Sequence, residues 1–251
     1  MAISNRGIVA LGVILGIALV AVSYVISLTL YNIKASENII SVAGSSEQVI
    51  RSDVVKWRAT ISRTSGVDNL KQVSAQMQKD LQAVLLYMKA NGVAENEITV
   101  GVMNTNTMYP YGNGYYAEKG DGSGQITGYS LAQDVTVQSS NVEVITKAAQ
   151  GATALTNQGI VFSSGGLEYY YSKLADLKLQ MLAKATEDAK QRAQKIAQST
   201  GARVGALKSA SMGVFQVTPV NSTELSDYGY YDTTSIDKQI TAIVRTSFIL
   251  K

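Results

Sequence analysis

No charged side chain stands between Arg6 and Lys34, so residues 7–33 form an unbroken run of 27 uncharged residues. Coiled as a helix at ~1.5 Å per residue, that run spans roughly 40 Å, more than the ~30 Å hydrocarbon core of a bilayer requires. Its centre, from Ile8 to Leu30, is built of Ile, Val, Leu and Ala with Gly12 and Gly16, and membrane helices tolerate glycine. Tyr24 and Tyr31 lie toward its far end, where amphipathic rings favour the interface. The expectation is a single membrane anchor over 7–33, in contact with lipid. A cleaved leader needs an apolar core of only about 7–15 residues, although Ile33-Lys34-Ala35 ends on a small residue and also fits a cleavage site. Positive charge at Arg6 places residues 1–6 in the cytoplasm and the rest of the chain, 38–251, outside it, because cytoplasmic flanks favour Lys and Arg.

Beyond residue 37 the chain carries 20 basic and 18 acidic side chains with no basic cluster, which argues against nucleic acid as a partner. Without cysteine there is no disulfide framework and no thiol chemistry. The chain also lacks histidine, which rules out His-based triads, imidazole bases and the usual zinc sites.

Val54–Ser62 alternates, with Val55, Trp57, Ala59 and Ile61 on one face, as a half-buried strand does. Asn38–Val49 predicts the strand before it, joined to it through Arg51-Ser52-Asp53. A helix is expected from a cap at Asp68 to a stop at Asn91-Gly92, its stripe formed by Leu70, Val73, Met77, Leu81, Val84 and Met88. Both methionines read as core filler. A strand over 97–103 follows, then a Tyr/Gly-rich loop over 104–127. Next come a strand over 127–139, a short helix over 142–154 and a strand over 160–171 broken at Gly165-Gly166. A second long helix over 173–200 stops at Gly201; its stripe of Leu174, Leu177, Met181, Ala185, Ala189, Ala193 and Ile196 narrows to alanine, which permits close packing on a sheet. Lys184, Asp188 and Arg192 form a solvated ladder at spacing four. Strands over 203–218 and 239–250 close the chain around a polar loop at 219–238. This order predicts an α+β fold with a largely antiparallel sheet, two long helices and one short one.

Three stretches together resemble a known family: Ile39 to Gly44 followed by a charged turn; Ala185-Thr186-Glu187-Asp188-Ala189 with Arg192-Ala193, Ile196-Ala197 and Gly201; and Tyr231-Asp232 with Ile236 and Lys238 ahead of an apolar strand. The pattern is similar to that of SIMPL-domain proteins, bacterial exported α+β domains, in particular their membrane-anchored branch. The resemblance implies a homo-oligomer, since some members assemble into ring-shaped, channel-like particles, and a link to envelope or oxidative-stress defence. It supplies no catalytic residues and no cofactor.

Known motif chemistry is sparse. Asp121-Gly122-Ser123-Gly124 lacks the alternating carboxylates of a calcium loop. Ser235-Ile236-Asp237-Lys238 satisfies Ser-x-x-Lys but leads into a strand, where a nucleophile of that class opens a helix. Asn221-Ser222-Thr223 is a formal glycosylation acceptor. The positive feature is tyrosine: Tyr109, Tyr111, Tyr115 and Tyr116 in one loop, Tyr228, Tyr230 and Tyr231 in the other, residues suited to interfaces. These readings leave three functions open. One is a non-enzymatic membrane-tethered envelope protein that self-associates. The second binds an envelope glycan or peptide through loop 109–124. The third is a carboxylate-only enzyme using Asp53, Glu95, Glu97 or Asp121.

Overall fold

The computed structural model describes residues 5–35, 38–109, 126–224 and 226–251. Helix α1 is continuous from Asn5 to Ala35, and within it Gly12–Leu30 is long and apolar enough to cross a membrane, with none of it buried. The chain after it is α+β and divides into two compact units. They are not successive halves. Residues up to Glu47, Leu177–Phe215 and Thr241–Lys251 make the first unit; Gln48–Asp176 and Gln216–Ile240 make the second. Two long strands, β1 (Ile39–Arg51) and β9 (Asp237–Leu250), contribute to both.

In the second unit a four-stranded sheet runs β3-β4-β2-β5, with β2 at Val54–Ser65, β3 at Ile98–Met108, β4 at Gly128–Ser139 and β5 at Phe162–Tyr170. Every neighbouring pair in it is antiparallel. Helices α2 (Leu70–Ala90), α3 (Val142–Gly151) and the single turn α4 (Thr153–Thr156) supply the other side of its core. Alternation in β2 delivers Val55, Trp57, Ala59 and Ile61 to that core, all fully buried, where they meet Met77, Val84 and Met88 of α2. The Trp57 indole N–H donates to Ser164 Oγ at 2.9 Å, so the largest core side chain buries no orphan donor. Gly92 ends the α2 turn at φ 86°, a left-handed conformation that glycine adopts without steric cost.

In the first unit, α5 (Leu174–Ser199) buries Leu177, Met181, Ala185, Ala189, Ala193 and Ala197. Alanine on that face has a specific use. A Cβ on Gly44 of β1 would lie 2.2 Å from the Ala185 carbonyl oxygen and 2.4 Å from the Ala189 nitrogen. Helix backbone and strand backbone are in contact at that point, with no side chain between them. Asp188 locks the contact by accepting the Ser45 N–H at 2.9 Å, and Ser46 Oγ donates to the Met181 carbonyl at 2.9 Å. The Ser45 N–H, then Arg192, hold the Asp188 carboxyl below its ordinary range. Strand β6 (Val204–Met212) pairs antiparallel with β9, whose Ala242, Val244, Thr246 and Phe248 are buried.

Several expectations are corrected. The described strands form two sheets, and the consecutive strands β1 and β2 belong to different ones. The strands pair largely antiparallel, as expected, with a parallel pair at β7 (Gln216–Pro219) and β8 (Tyr230–Tyr231). Asp68 lies in a 3-10 turn and caps nothing; Asn69 occupies the cap position of α2. Residues 104–108 continue β3 where a loop was expected, because Thr and Asn at its outer positions suit a solvated strand edge. Gly165-Gly166 does not break β5. Those two residues oppose Arg58 alone as a bulge, and a Cβ on Gly165 would meet the Arg58 carbonyl at 2.7 Å. Ile196 is half exposed and Ala197 takes its place on the buried face. The ladder pairs Arg192 with Asp188 at 2.8 Å, as expected, but Asp188 is only partly exposed and also holds a strand amide.

Candidate functional site

Of the two tyrosine loops, the described structure shows the second. Its described residues, 219–224 and 226–236, are pinned at their base by Asp232, whose N–H donates to the Val217 carbonyl at 2.8 Å. Its carboxylate accepts from Thr234 N and Thr234 Oγ1 at 2.8 Å each, and from Ser235 N at 3.3 Å. Lys238 reaches back from the start of β9 and donates from Nζ to the Asp232 carbonyl at 2.5 Å, with its ammonium 3.6 Å from the carboxylate. Both side chains are 1% exposed. Burial pushes the Asp232 carboxyl upward, but the bonds from Thr234 and Ser235 and the charge of Lys238 outweigh it, and the group ends below its ordinary range. Burial lowers Lys238, against the pull of Asp232. Around this pair, Ser52 N–H donates to the Ile236 carbonyl at 2.8 Å and Tyr169 N–H to the Thr233 carbonyl at 2.7 Å. Ser235 of the Ser-x-x-Lys match therefore serves a turn, and the lysine is committed to the backbone of Asp232.

That knot presents the rest of the loop outward. Gly229 at φ 89° and Asn221 at φ 64° turn the chain, and Gln216 Nε2 donates to the Ser226 carbonyl at 2.6 Å. Tyr228 is left 97% exposed and Tyr231 45%. The Tyr231 ring lies 6.5 Å from Tyr170, tilted by 32°, and Tyr230 is half-buried. Of the first loop, Tyr109 is 48% exposed just after β3, while Tyr111, Tyr115 and Tyr116 lie outside the described residues, as does Asp121.

The three proposed carboxylates among the described residues are occupied locally. Asp53 accepts from Ser172 N at 2.7 Å and from Ser172 Oγ at 2.6 Å. Glu95 pairs with Lys89 at 2.8 Å, and Glu97 accepts from Ser139 Oγ at 2.7 Å. Each one finishes a turn or a strand end. Among the described residues no group of three or more Asp and Glu could hold a metal ion.

One polar cluster escaped the sequence. Asp80, 3% exposed, sits on the buried face of α2 and binds Arg63 of β2 through two hydrogen bonds, the Nη2–Oδ1 one 3.0 Å long. Gln76 Nε2 donates to the same carboxylate at 3.1 Å, and Arg63 Nη2 also reaches the Gly159 carbonyl at 3.2 Å. The Asp80 hydrogen bond raises the Arg63 pKa further. A hollow of about 410 Å³ opens beside them, lined by Arg63, Asn69, Gln72, Val73 and Gln76 among others. With the guanidinium neutralised from behind, this hollow offers amides and no net charge. The available signal was an acid at the buried spacing between Met77 and Val84, three and four residues away.

The SIMPL family, described as a protein of unknown function (DUF541), matches residues 40–246, well over half of the chain. The chain belongs to the SIMPL family. No curated relative matches it. The SIMPL match begins inside β1 and ends inside β9, so it takes in the Gly44 contact with α5 and the Asp232–Lys238 knot. Helix α1 precedes it, compatible in length and composition with a single-pass anchor or a signal sequence.

Proposed function

We propose that this SIMPL protein is a non-enzymatic, membrane-tethered component of a bacterial cell envelope that self-associates through its exported domain. In this reading α1 stays in the inner membrane with its N-terminus in the cytoplasm. The observation that carries it is the apolar helix: the 19 residues Gly12–Leu30 find no cover among the described residues, and burying them calls for lipid. Self-association is supported by the exposure of Tyr228, Tyr231 and Tyr109, since rings of this kind give large contact area at small entropic cost.

The tether is tested by single-cysteine labelling, which the cysteine-free chain makes unambiguous. Tyr228→Cys should react with a membrane-impermeant maleimide on intact spheroplasts, and Asn5→Cys only after permeabilisation. The labelled chain should sediment with membranes at its full 26.8 kDa. A shortened chain in the soluble fraction, or the reverse labelling pattern, would overturn the anchor.

A further inference from the structure

A strand at the rim of a sheet leaves a row of backbone N–H and C=O groups for another strand to pair with, and proteins blunt such edges with charge, proline, bulges or cover. The edges of this protein differ in that respect. Strand β6 carries Lys208 and two irregularities in its pairing with β9. At β5 the outer edge is covered, because the Tyr169 N–H is taken by the Thr233 carbonyl, and the strand is bulged at Gly165-Gly166. Strand β8 is only two residues long, and β1 carries Glu47 and Arg51 and gives its Ser45 N–H to Asp188. The rim strand β3 contains no charged residue and no proline from Ile98 to Met108. Among the described residues it pairs with β4 alone. Its one irregularity lies between Val100 and Met103, so Met103–Met108 is a regular stretch in register with β4. Val102 beside it is 79% exposed, and Met108 and Tyr109 are 39% and 48% exposed.

We infer that β3 is the surface through which two copies of this chain join, edge to edge and antiparallel, about a two-fold axis at Thr105. The inference rests on the self-association proposed above and assigns it a place. The Met108 carbonyl faces the β4 side, accepting the Thr127 N–H at 2.9 Å. Alternation along an antiparallel ladder then turns the N–H and C=O of Thr107, Thr105 and Met103 to the open edge. A two-fold axis perpendicular to the sheet keeps faces together, so the register about Thr105 sets Thr105 opposite Thr105, Asn104 opposite Asn106 and Met103 opposite Thr107. Asn104-Thr105-Asn106 reads the same in both directions, so in this register each asparagine meets an asparagine. Threonine and asparagine pairs of this kind support cross-strand bonding, and no like charges meet. Anchoring in one membrane raises the local concentration that such a narrow contact needs.

The full chain in detergent and in bilayers tests this by cross-linking and by charge. In the register about Thr105, a single Thr105→Cys lies ~5.5 Å from its copy, Cα to Cα, inside the range a disulfide spans. A single Asn104→Cys or Asn106→Cys lies about 8 Å from its own copy, beyond that reach, whereas the two mixed together face each other. Thr105→Cys should therefore cross-link at least tenfold more than either asparagine variant, and the mixture should cross-link as a heterodimer. Thr105→Lys or Thr105→Glu alone should weaken association at least tenfold, and mixing them should restore it. Emission from buried Trp57 checks that each variant is folded, and if a charged variant is not, the cysteine comparison decides. A wild-type chain of single-copy mass removes self-association and this inference with it. An oligomeric wild type whose Thr105→Cys cross-links no better than Asn104→Cys overturns the β3 assignment alone.

Discussion

Gly44→Ala is expected to loosen the packing of β1 on α5 by about 3 kcal/mol or more, at or above the usual range for an overfilled core. The added methyl would sit 2.2 Å from the Ala185 oxygen, 2.4 Å from the Ala189 nitrogen and 2.7 Å from the Ala189 Cβ. Two of those three atoms are helix backbone, which has no rotamer through which to yield. The helix must therefore lift, and lifting it breaks the Asp188 bond to Ser45 and uncovers the alanine face. Amide hydrogen exchange across Met181–Ala193 reads the loss directly, as protection lower by roughly a hundredfold at that energy. Gly66→Ala is the control. Nothing lies within 4 Å of its Cβ, and its φ of −68° suits any residue, so its effect should stay within about 0.5 kcal/mol.

The second large effect is expected at the buried ion pair. Asp232→Ala strands the Lys238 ammonium in a site where its side chain is 1% exposed and removes the acceptor for Thr234 and Ser235. Breaking a buried pair in this way costs about 3–5 kcal/mol. Lys238→Met should cost less, because the carboxylate left behind keeps the hydrogen bonds from Thr234 and Ser235. The single tryptophan, Trp57, belongs to the same unit, so urea unfolding followed by its emission ranks the variants. The pH dependence has a definite sign. Folded Lys238 loses its proton below the ordinary 10.5, and without Asp232 the downward push of burial acts unopposed. Between the folded pKa and 10.5 the unfolded chain binds more protons, so stability rises with pH there. Asp232→Ala should regain part of its loss on going alkaline, relative to wild type at the same pH. A loss independent of pH would show that Lys238 is not held as a buried cation.

Local features of this fold were legible in the sequence because they depend on near neighbours. The uncharged run of α1, the two-residue period of β2, the Met77 and Met88 positions and the stops at Gly92 and Gly201 all follow from spacing and from glycine chemistry. The alanine stripe of α5 gave the close approach, though not its partner Gly44, since no local rule links two sites so far apart in the chain. The split into two sheets was hidden for the same reason. Strand periodicity fixes which face is buried and leaves the partner open, so β1 and β2 read as neighbours and are not paired. Charged groups misled in the other direction. Asp188 reads as a rung of a solvated ladder, Asp232 and Lys238 as part of a family motif, and Asp80 is marked by its spacing alone, yet each is spent on a hydrogen bond that ties one element to another. Of the candidate tyrosines, Tyr228 and Tyr231 stand exposed above the Asp232–Lys238 knot, and Tyr109 is half exposed at the end of β3.

The mass of the protein part of the detergent-solubilised full chain, measured by light scattering and repeated after reconstitution into bilayer discs, tests self-association most directly. A particle of two or more chains of 26.8 kDa is the predicted result. A single 26.8 kDa chain at the highest attainable concentration, in detergent and bilayer alike, would contradict it.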